Sequence, residues 1–261
     1  MKYLAIAVVV LYFIAAIRVY LKQENEIFHP EKAPKNIVLE VKNLKKIEFK
    51  TSDNIILEGA FVENSKHNPL IIYFGGNSNN ALAFLNVVKD INDFNFLVFN
   101  YRGYANSRGE PSQDKIFSDS IEIYDNFAKG KDVYLIGRSL GSSVATYLAS
   151  KRDVKGLVLI TPFDSILNLA KDKYPYLPMK FLLKHPFETY KYMEYVRTPV
   201  AIINVENDEV IPFKHYLNLE RYIKNLAFKA ILKDTTHMAV FTHPDFVKTL
   251  KNALDVLRRL N

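Results

Sequence analysis

Asp132-Val133-Tyr134-Leu135-Ile136 runs straight into Gly137-Arg138-Ser139-Leu140-Gly141, and Ser142-Ser143-Val144-Ala145-Thr146-Tyr147-Leu148-Ala149 follows. The first five residues favour a strand and the last eight a helix, so a G-x-S-x-G pentapeptide sits at a strand-to-helix turn. A turn that tight strains the backbone of Ser139 and lifts its hydroxyl clear of the sheet. Gly137 and Gly141 fit because a side chain at either place would meet the neighbouring strand or helix. An ordinary turn could also contain Ser and two Gly, so the rest of the chain has to decide.

Outward from this elbow the pattern repeats. Leu70–Phe74, Phe96–Phe99, Val133–Ile136, Leu157–Ile160 and Val200–Ile203 are short apolar runs of the kind buried on both faces, and Phe228–Leu232 is a weaker one, broken by Lys229. Helix-length stretches lie between them at Asn80–Ile91, Gln113–Phe127, Ser139–Ser150 and Phe213–Ile223. A last helix is expected from Pro244, with Val247, Leu250, Leu254 and Leu257 on one face. Ahead of these, Lys46–Thr51 alternates polar with apolar, Ser52-Asp53-Asn54 turns, and Ile55–Val62 resumes, which predicts an antiparallel hairpin. The order predicts an α/β fold with a mostly parallel, doubly wound sheet, whose ligands bind beyond the carboxyl ends of the strands.

Composition narrows the function. The 261 residues suffice for one α/β domain, and about half are apolar. The 35 basic and 28 acidic residues leave +7, spread along the chain without a dense basic run, so no nucleic-acid partner is indicated. With no Cys there is no disulfide framework and no thiol nucleophile. The six His form no metal-ligand motif, so neither a metal nor a cofactor is called for.

The amino terminus is of another kind. Tyr3–Ile17 carries no charge, Arg18 interrupts, and Val19-Tyr20-Leu21 continues. As a helix, Tyr3–Leu21 spans about 28 Å, close to the hydrocarbon thickness of a bilayer. Lys2 followed by an apolar run also fits a signal peptide, but Arg18, Tyr20 and Lys22 stand where a small-x-small cleavage site would be. The reading is therefore a single-pass anchor over residues 1–22 with a signal peptide as its competitor, a linker over 23–37, and the main domain over 38–261. Arg18, Lys22, Lys32 and Lys35 beyond the apolar run lean towards a cytosolic domain under the positive-inside rule.

A serine nucleophile needs a base, and the base needs an orienting carboxylate. Asp208 follows the strand ending at Val205, and His237 follows the strand ending at Leu232, so Ser139, Asp208 and His237 each trail a strand. His243, before Pro244, suits a helix start; His29, His67, His185 and His215 suit surface or packing roles. Asp164, Glu206 and Glu209 are the alternative acids, with Glu209 expected to point away from His237. Two fixed N–H donors are needed for an oxyanion. The Leu140 amide is one candidate, and the Asn77 amide in Gly75-Gly76-Asn77-Ser78-Asn79 is the other.

With these residues placed, the chain resembles the membrane-anchored α/β-hydrolase-domain proteins of the serine hydrolase superfamily, from about Val38 to the carboxyl end. The resemblance rests on Tyr73-Phe74-Gly75-Gly76-Asn77, Asn100-Tyr101-Arg102-Gly103-Tyr104 with Ser107 and Gly109-Glu110-Pro111-Ser112, the Ser139 elbow, Asp208-Glu209 before Pro212, and His237. It implies an α/β-hydrolase fold with an antiparallel N-terminal hairpin, a Ser-Asp-His triad and a Tyr101–Ser112 loop bordering the site. It also implies a cap inserted at about 163–197, where Tyr, Phe and Pro are dense; two short helices are expected there. Gly75 stands where many relatives have His, and Ala105 where Gly is usual. The implied activity is hydrolysis of carboxylic ester or thioester bonds in small or lipidic acyl substrates, with cap and anchor together presenting Ser139 near a bilayer.

Overall fold

The computed structural model describes residues 1–260. Eight strands form one sheet: β1 (Leu44–Lys50), β2 (Ile56–Val62), β3 (Leu70–Phe74), β4 (Asn95–Phe99), β5 (Val133–Arg138), β6 (Gly156–Ile160), β7 (Val200–Asn207) and β8 (Leu226–Thr236). Their spatial order is β1-β2-β4-β3-β5-β6-β7-β8. The β1–β2 and β2–β4 pairings are antiparallel, and every pairing from β4–β3 onward is parallel.

The helices are α1 (Lys2–Ile27), α2 (Phe84–Val87), α3 (Gln113–Phe127), α4 (Leu140–Ala149), α5 (Ile166–Lys173), α6 (Met179–Leu182), α7 (Thr189–Met193), α8 (Phe213–Glu220) and α9 (Phe246–Arg259). Alternate residues of the central strands feed two cores. Leu70, Ile72 and Leu135 pack with Ile116, Phe117, Val144 and Leu148 of α3 and α4. Ile71, Tyr73 and Ile136 pack with Phe84 and Leu85 of α2 and with Leu250, Leu254 and Leu257 of α9. A strand covered on both faces must be apolar at every position, which is why these runs do not alternate. Each fully buried Leu of α9 is worth about 1.5–3 kcal/mol.

Four expectations shift. In place of one helix over Asn80–Ile91 there is a tight 3₁₀ turn at Ala81–Ala83 and the single-turn α2. Polar side chains in this stretch are turned to another task. Asn80 Nδ2 donates to the Pro34 carbonyl, and Asn86 binds both the Val38 carbonyl and the Glu40 N–H, so they tie down the segment before β1. The final helix begins at Phe246, after a 3₁₀ turn at Val240–Thr242.

Between β6 and β7 the insertion holds three short helices, α5, α6 and α7, in place of two. The fourth concerns the linker expected over residues 23–37, whose first part is helical. Helix α1 continues to Ile27, and Gln23, Ile27, Phe28 and Ala33 are buried against the domain. The apolar part of α1 is exposed and long enough to cross a membrane, a test that an anchor and a signal sequence both pass.

Candidate active site

Ser139 sits between β5 and α4 with φ of 51°, a left-handed conformation that costs a non-glycine residue about 1–2 kcal/mol. The surroundings enforce it. Ser139 N–H donates to the Ile160 carbonyl on β6, and the Ser142 N–H and Oγ both donate to the Ser139 carbonyl. A Cβ at Gly137 would strike the Gly141 carbonyl, and one at Gly141 would strike the carbonyls of Phe74 and Gly75. The first turn of α4 is therefore pressed against the end of β3, which brings the Gly75-Gly76-Asn77 loop beside the serine. A Cβ on Gly76 would stand 3.8 Å from the Ser139 Cβ.

Asp208 and His237 meet at the same edge of the sheet. One Asp208 oxygen, Oδ1, accepts the N–H groups of Val210 at 2.9 Å and Ile211 at 2.6 Å, which fixes the carboxylate on its own loop. The other, Oδ2, lies 2.9 Å from His237 Nδ1, and both side chains are nearly inaccessible. With Nδ1 held by the carboxylate, Nε2 is left for proton transfer.

Glu209 corrects its expectation. Its carboxylate faces the His237 loop, accepting the His237 N–H at 2.8 Å and the Met238 N–H at 3.4 Å, and leaves the imidazole to Asp208. Burial alone would raise the Glu209 pKa, but its own backbone N–H and those of His237 and Met238 hold it below its ordinary value. Asp164, an alternative acid, points elsewhere, to His215. His243 accepts the Asp245 N–H at the start of α9.

Several contributors went unread in the sequence. Arg138, the variable residue before the serine, is buried and bridges three parts of the site. Its guanidinium donates to Asn79 Oδ1 at 2.9 Å and to the His237 carbonyl at 2.8 Å, and it lies over the Phe241 ring. Tyr101 and Tyr104 hold the glycine loop. Tyr101 donates to the Gly75 carbonyl and Tyr104 to the Asn77 carbonyl, each at 2.9 Å. Burial pushes both phenol pKa values up, so both stay protonated donors. These two bonds fix the Gly75–Gly76 and Asn77–Ser78 peptides, which flank the Asn77 N–H. The signal lay in the Asn100-Tyr101-Arg102-Gly103-Tyr104 motif, where only a loop bordering the site was read. Arg102 in that motif grips Asp119 of α3 through Nε at 2.8 Å and Nη2 at 2.5 Å, and Asp53 through Nη1 at 3.0 Å, which fastens the loop to the domain.

Ser139, Leu140 and Asn77 line a cavity of about 560 Å³. Its walls are largely apolar, with Phe163 after β6, Leu169 of α5, Met179 of α6 and Ile27 of α1 among them. That volume lies within the range of pockets that enclose a small organic ligand.

Comparison with known proteins agrees with this architecture. A family model of the alpha/beta hydrolase fold matches residues 69–185. An uncharacterized protein of Acanthamoeba polyphaga mimivirus is 30% identical over 213 residues, which cover 71% of this chain and 72% of that protein. Lysophosphatidylserine lipase ABHD12 of Rattus norvegicus is 28% identical over 201 residues, covering 67% of this chain and 48% of the lipase. The chain thus spans about half the length of that lipase, and 62% of an uncharacterized relative from Mycobacterium tuberculosis.

Among solved structures, an esterase of Pyrococcus furiosus superposes with a TM-score of 0.64 at 19% identity, over 87% of this chain and 97% of that one. An alpha-beta hydrolase from Vibrio vulnificus gives 0.69 at 17%, over 91% of each. At such identities the likeness is one of fold. Together with the family match and the sequence relatives, it shows that the chain belongs to the α/β-hydrolase family.

Proposed function

We propose that the protein is a membrane-anchored serine hydrolase that cleaves carboxylic ester or thioester bonds of lipidic or acylated substrates. The observation that carries this is the strained Ser139 lining an apolar cavity, next in sequence to Arg138, which in turn binds the loop bearing the Asp208–His237 pair. His237 Nε2 takes the Ser139 proton as Oγ attacks the acyl carbonyl, and Asp208 holds the tautomer and the charge of the imidazolium. Backbone N–H groups of Leu140 and Asn77 receive the developing oxyanion. Collapse of the tetrahedral intermediate expels the alcohol or thiol, which takes its proton from His237. Water, deprotonated by His237, then attacks the acyl-serine and releases the acid.

The anchor reading is supported by α1 itself. One continuous helix carries the apolar stretch and ends in buried contacts with the domain through Gln23 and Ile27. The lipid substrate class draws on that helix, on the apolar cavity and on the lysophosphatidylserine lipase among the relatives.

The test is hydrolysis of p-nitrophenyl esters from acetate to palmitate by the full-length protein, Ser139→Ala and His237→Ala, together with fluorophosphonate labelling. Loss of about 10³-fold or more in kcat in both variants, and labelling that disappears with Ser139, is expected. Absence of both turnover and labelling in the unaltered protein points to a noncatalytic binding role.

A further inference from the structure

Helix α1 does more than reach out from the domain. Val19, Gln23, Glu26 and Ile27 all line the cavity that holds Ser139. Their spacing of four, three and one residues puts them on one helical face, so the last turns of α1 form one wall of the cavity. This face is latched in place. Gln23, 4% exposed, spans the cap backbone between α6 and α7, donating to the Leu182 carbonyl at 3.0 Å and accepting the Lys184 N–H at 2.6 Å. Glu24 pairs with Lys184 at 3.0 Å, and Glu26 with Lys173 of α5 at 2.7 Å.

The same helix end grips the oxyanion loop. Asn77 Nδ2 donates to the Ile27 carbonyl at 3.1 Å, and the His29 N–H donates to the Asn77 carbonyl at 2.9 Å. Val19 belongs to the apolar run Tyr3–Leu21, whereas Gln23 and Glu26 lie beyond it. The cavity wall therefore begins within the stretch that would lie in a bilayer and ends beside the serine.

We infer that this cavity is an acyl-chain slot open towards the bilayer along α1, with Val19 setting the length of chain accepted and Asn77 coupling the helix to the oxyanion loop. The occupant is the acyl tail of a lipid ester drawn from the membrane that holds α1. The inference rests on the serine-hydrolase reading above. It makes α1 part of the substrate site as well as a tether, and Val19 a specificity-determining residue.

The test uses the full chain in phosphatidylcholine vesicles, with kcat/KM measured for p-nitrophenyl acetate and p-nitrophenyl palmitate. Val19→Trp, which fills the slot, is expected to lower the palmitate-to-acetate ratio by about tenfold or more, since even one methylene of misfit costs that much. Leu21→Trp, in the same turn but exposed to the surroundings, leaves the ratio unchanged. Val19→Ala, which guards against misfolding of the Trp variant, raises the ratio for chains longer than the optimum of the unaltered protein. Equal ratios in all three variants and the unaltered protein, with acetate turnover still dependent on Ser139, overturn the slot and leave the hydrolase standing. Acetate turnover that survives Ser139→Ala overturns the hydrolase reading itself, and the slot with it.

Discussion

In the proposed mechanism, single residues divide into those that react and those that aim them. Tyr101 and Tyr104 aim: their hydroxyls fix the Gly75 and Asn77 carbonyls and so the opposite faces of those peptides. Tyr101→Phe removes one hydrogen bond from a buried carbonyl, and about 1–3 kcal/mol of stability is expected to go with it. Displacement of the loop by a fraction of an ångström should lower kcat up to about 10²-fold with little change in KM. Urea unfolding read beside steady-state ester hydrolysis separates the two effects, and an unchanged kcat would free the loop from this role. At Ala105 opposing terms meet. Its φ of 51° favours glycine by about 1–2 kcal/mol, while Ala105→Gly forfeits a buried methyl worth roughly 0.8 kcal/mol and adds roughly 0.5–1 kcal/mol of chain entropy. The terms nearly cancel, so thermal unfolding should show a change of no more than about 1 kcal/mol. The elbow was legible because it is local: two glycines between a strand pattern and a helix pattern. The tyrosine bonds were not, because Tyr101 lies 26 residues from Gly75 and only the parallel β3–β4 pairing brings them together.

Elements were legible where burial is uniform and illegible where polar side chains do tertiary work. The five central runs became strands and Gln113–Phe127 became α3 as expected, while Asn80 and Asn86 spent their hydrogen bonds on a distant segment and cut the expected helix to one turn. His215 of α8 likewise suited only a surface or packing role in the sequence. It is 2% exposed and bridges Asp164, after β6, at 2.8 Å and Asp172 of α5 at 2.8 Å, with Lys214 also on Asp172 and Asn168 and Asn218 on Asp164. Burial alone would lower the His215 pKa, but the two carboxylates outweigh it and hold it above its ordinary 6.5. Burial alone would raise that of Asp164, but His215 and Asn168 hold it below its ordinary 3.8. A raised histidine stabilises fully below 6.5 and loses its contribution as pH rises through the folded value. A depressed carboxylate stabilises above 3.8 and loses its contribution as pH falls through its folded value. The bridge between α5 and α8 is thus strongest between these two ordinary values. Breaking a buried pair costs 3–5 kcal/mol, and because Asp164 keeps its Asn and Ser165 partners, His215→Gln should cost about 3 kcal/mol near pH 5.5. Chemical denaturation across pH should show the gap between the two proteins narrowing on the alkaline side; a gap constant with pH would mean that the pair carries no charge.

At the scale of the whole molecule, α1 has two unlike parts. Leu4, Val8, Leu11 and Phe13 are more than half exposed, an apolar surface that water does not tolerate on a folded domain, whereas Gln23 and Ile27 are core residues. Sequence reading put the boundary at residue 22 because the hydropathy changes there. Contacts with the domain reach a turn further back, to Val19 on the cavity wall, while Gln23 finds partners in a cap backbone about 160 positions away. Two truncations follow from this difference. A chain beginning at Val19 sheds all but the last three residues of the apolar stretch and keeps the Gln23 latch, both salt bridges and the Ile27 carbonyl that receives Asn77. Nine residues are too few for a stable isolated helix, so these contacts must hold it. This chain is expected in the aqueous phase of a detergent partition, with its acyl-chain preference in mixed micelles intact. A chain beginning at Phe28 loses the cavity wall and the Asn77 acceptor together. It should also be water-soluble, but with the palmitate preference gone and acetate turnover reduced, because the oxyanion loop has lost one of its ties. If the two truncations show the same chain-length profile, the last turns of α1 serve attachment alone, and selection of the acyl chain has to come from the cap.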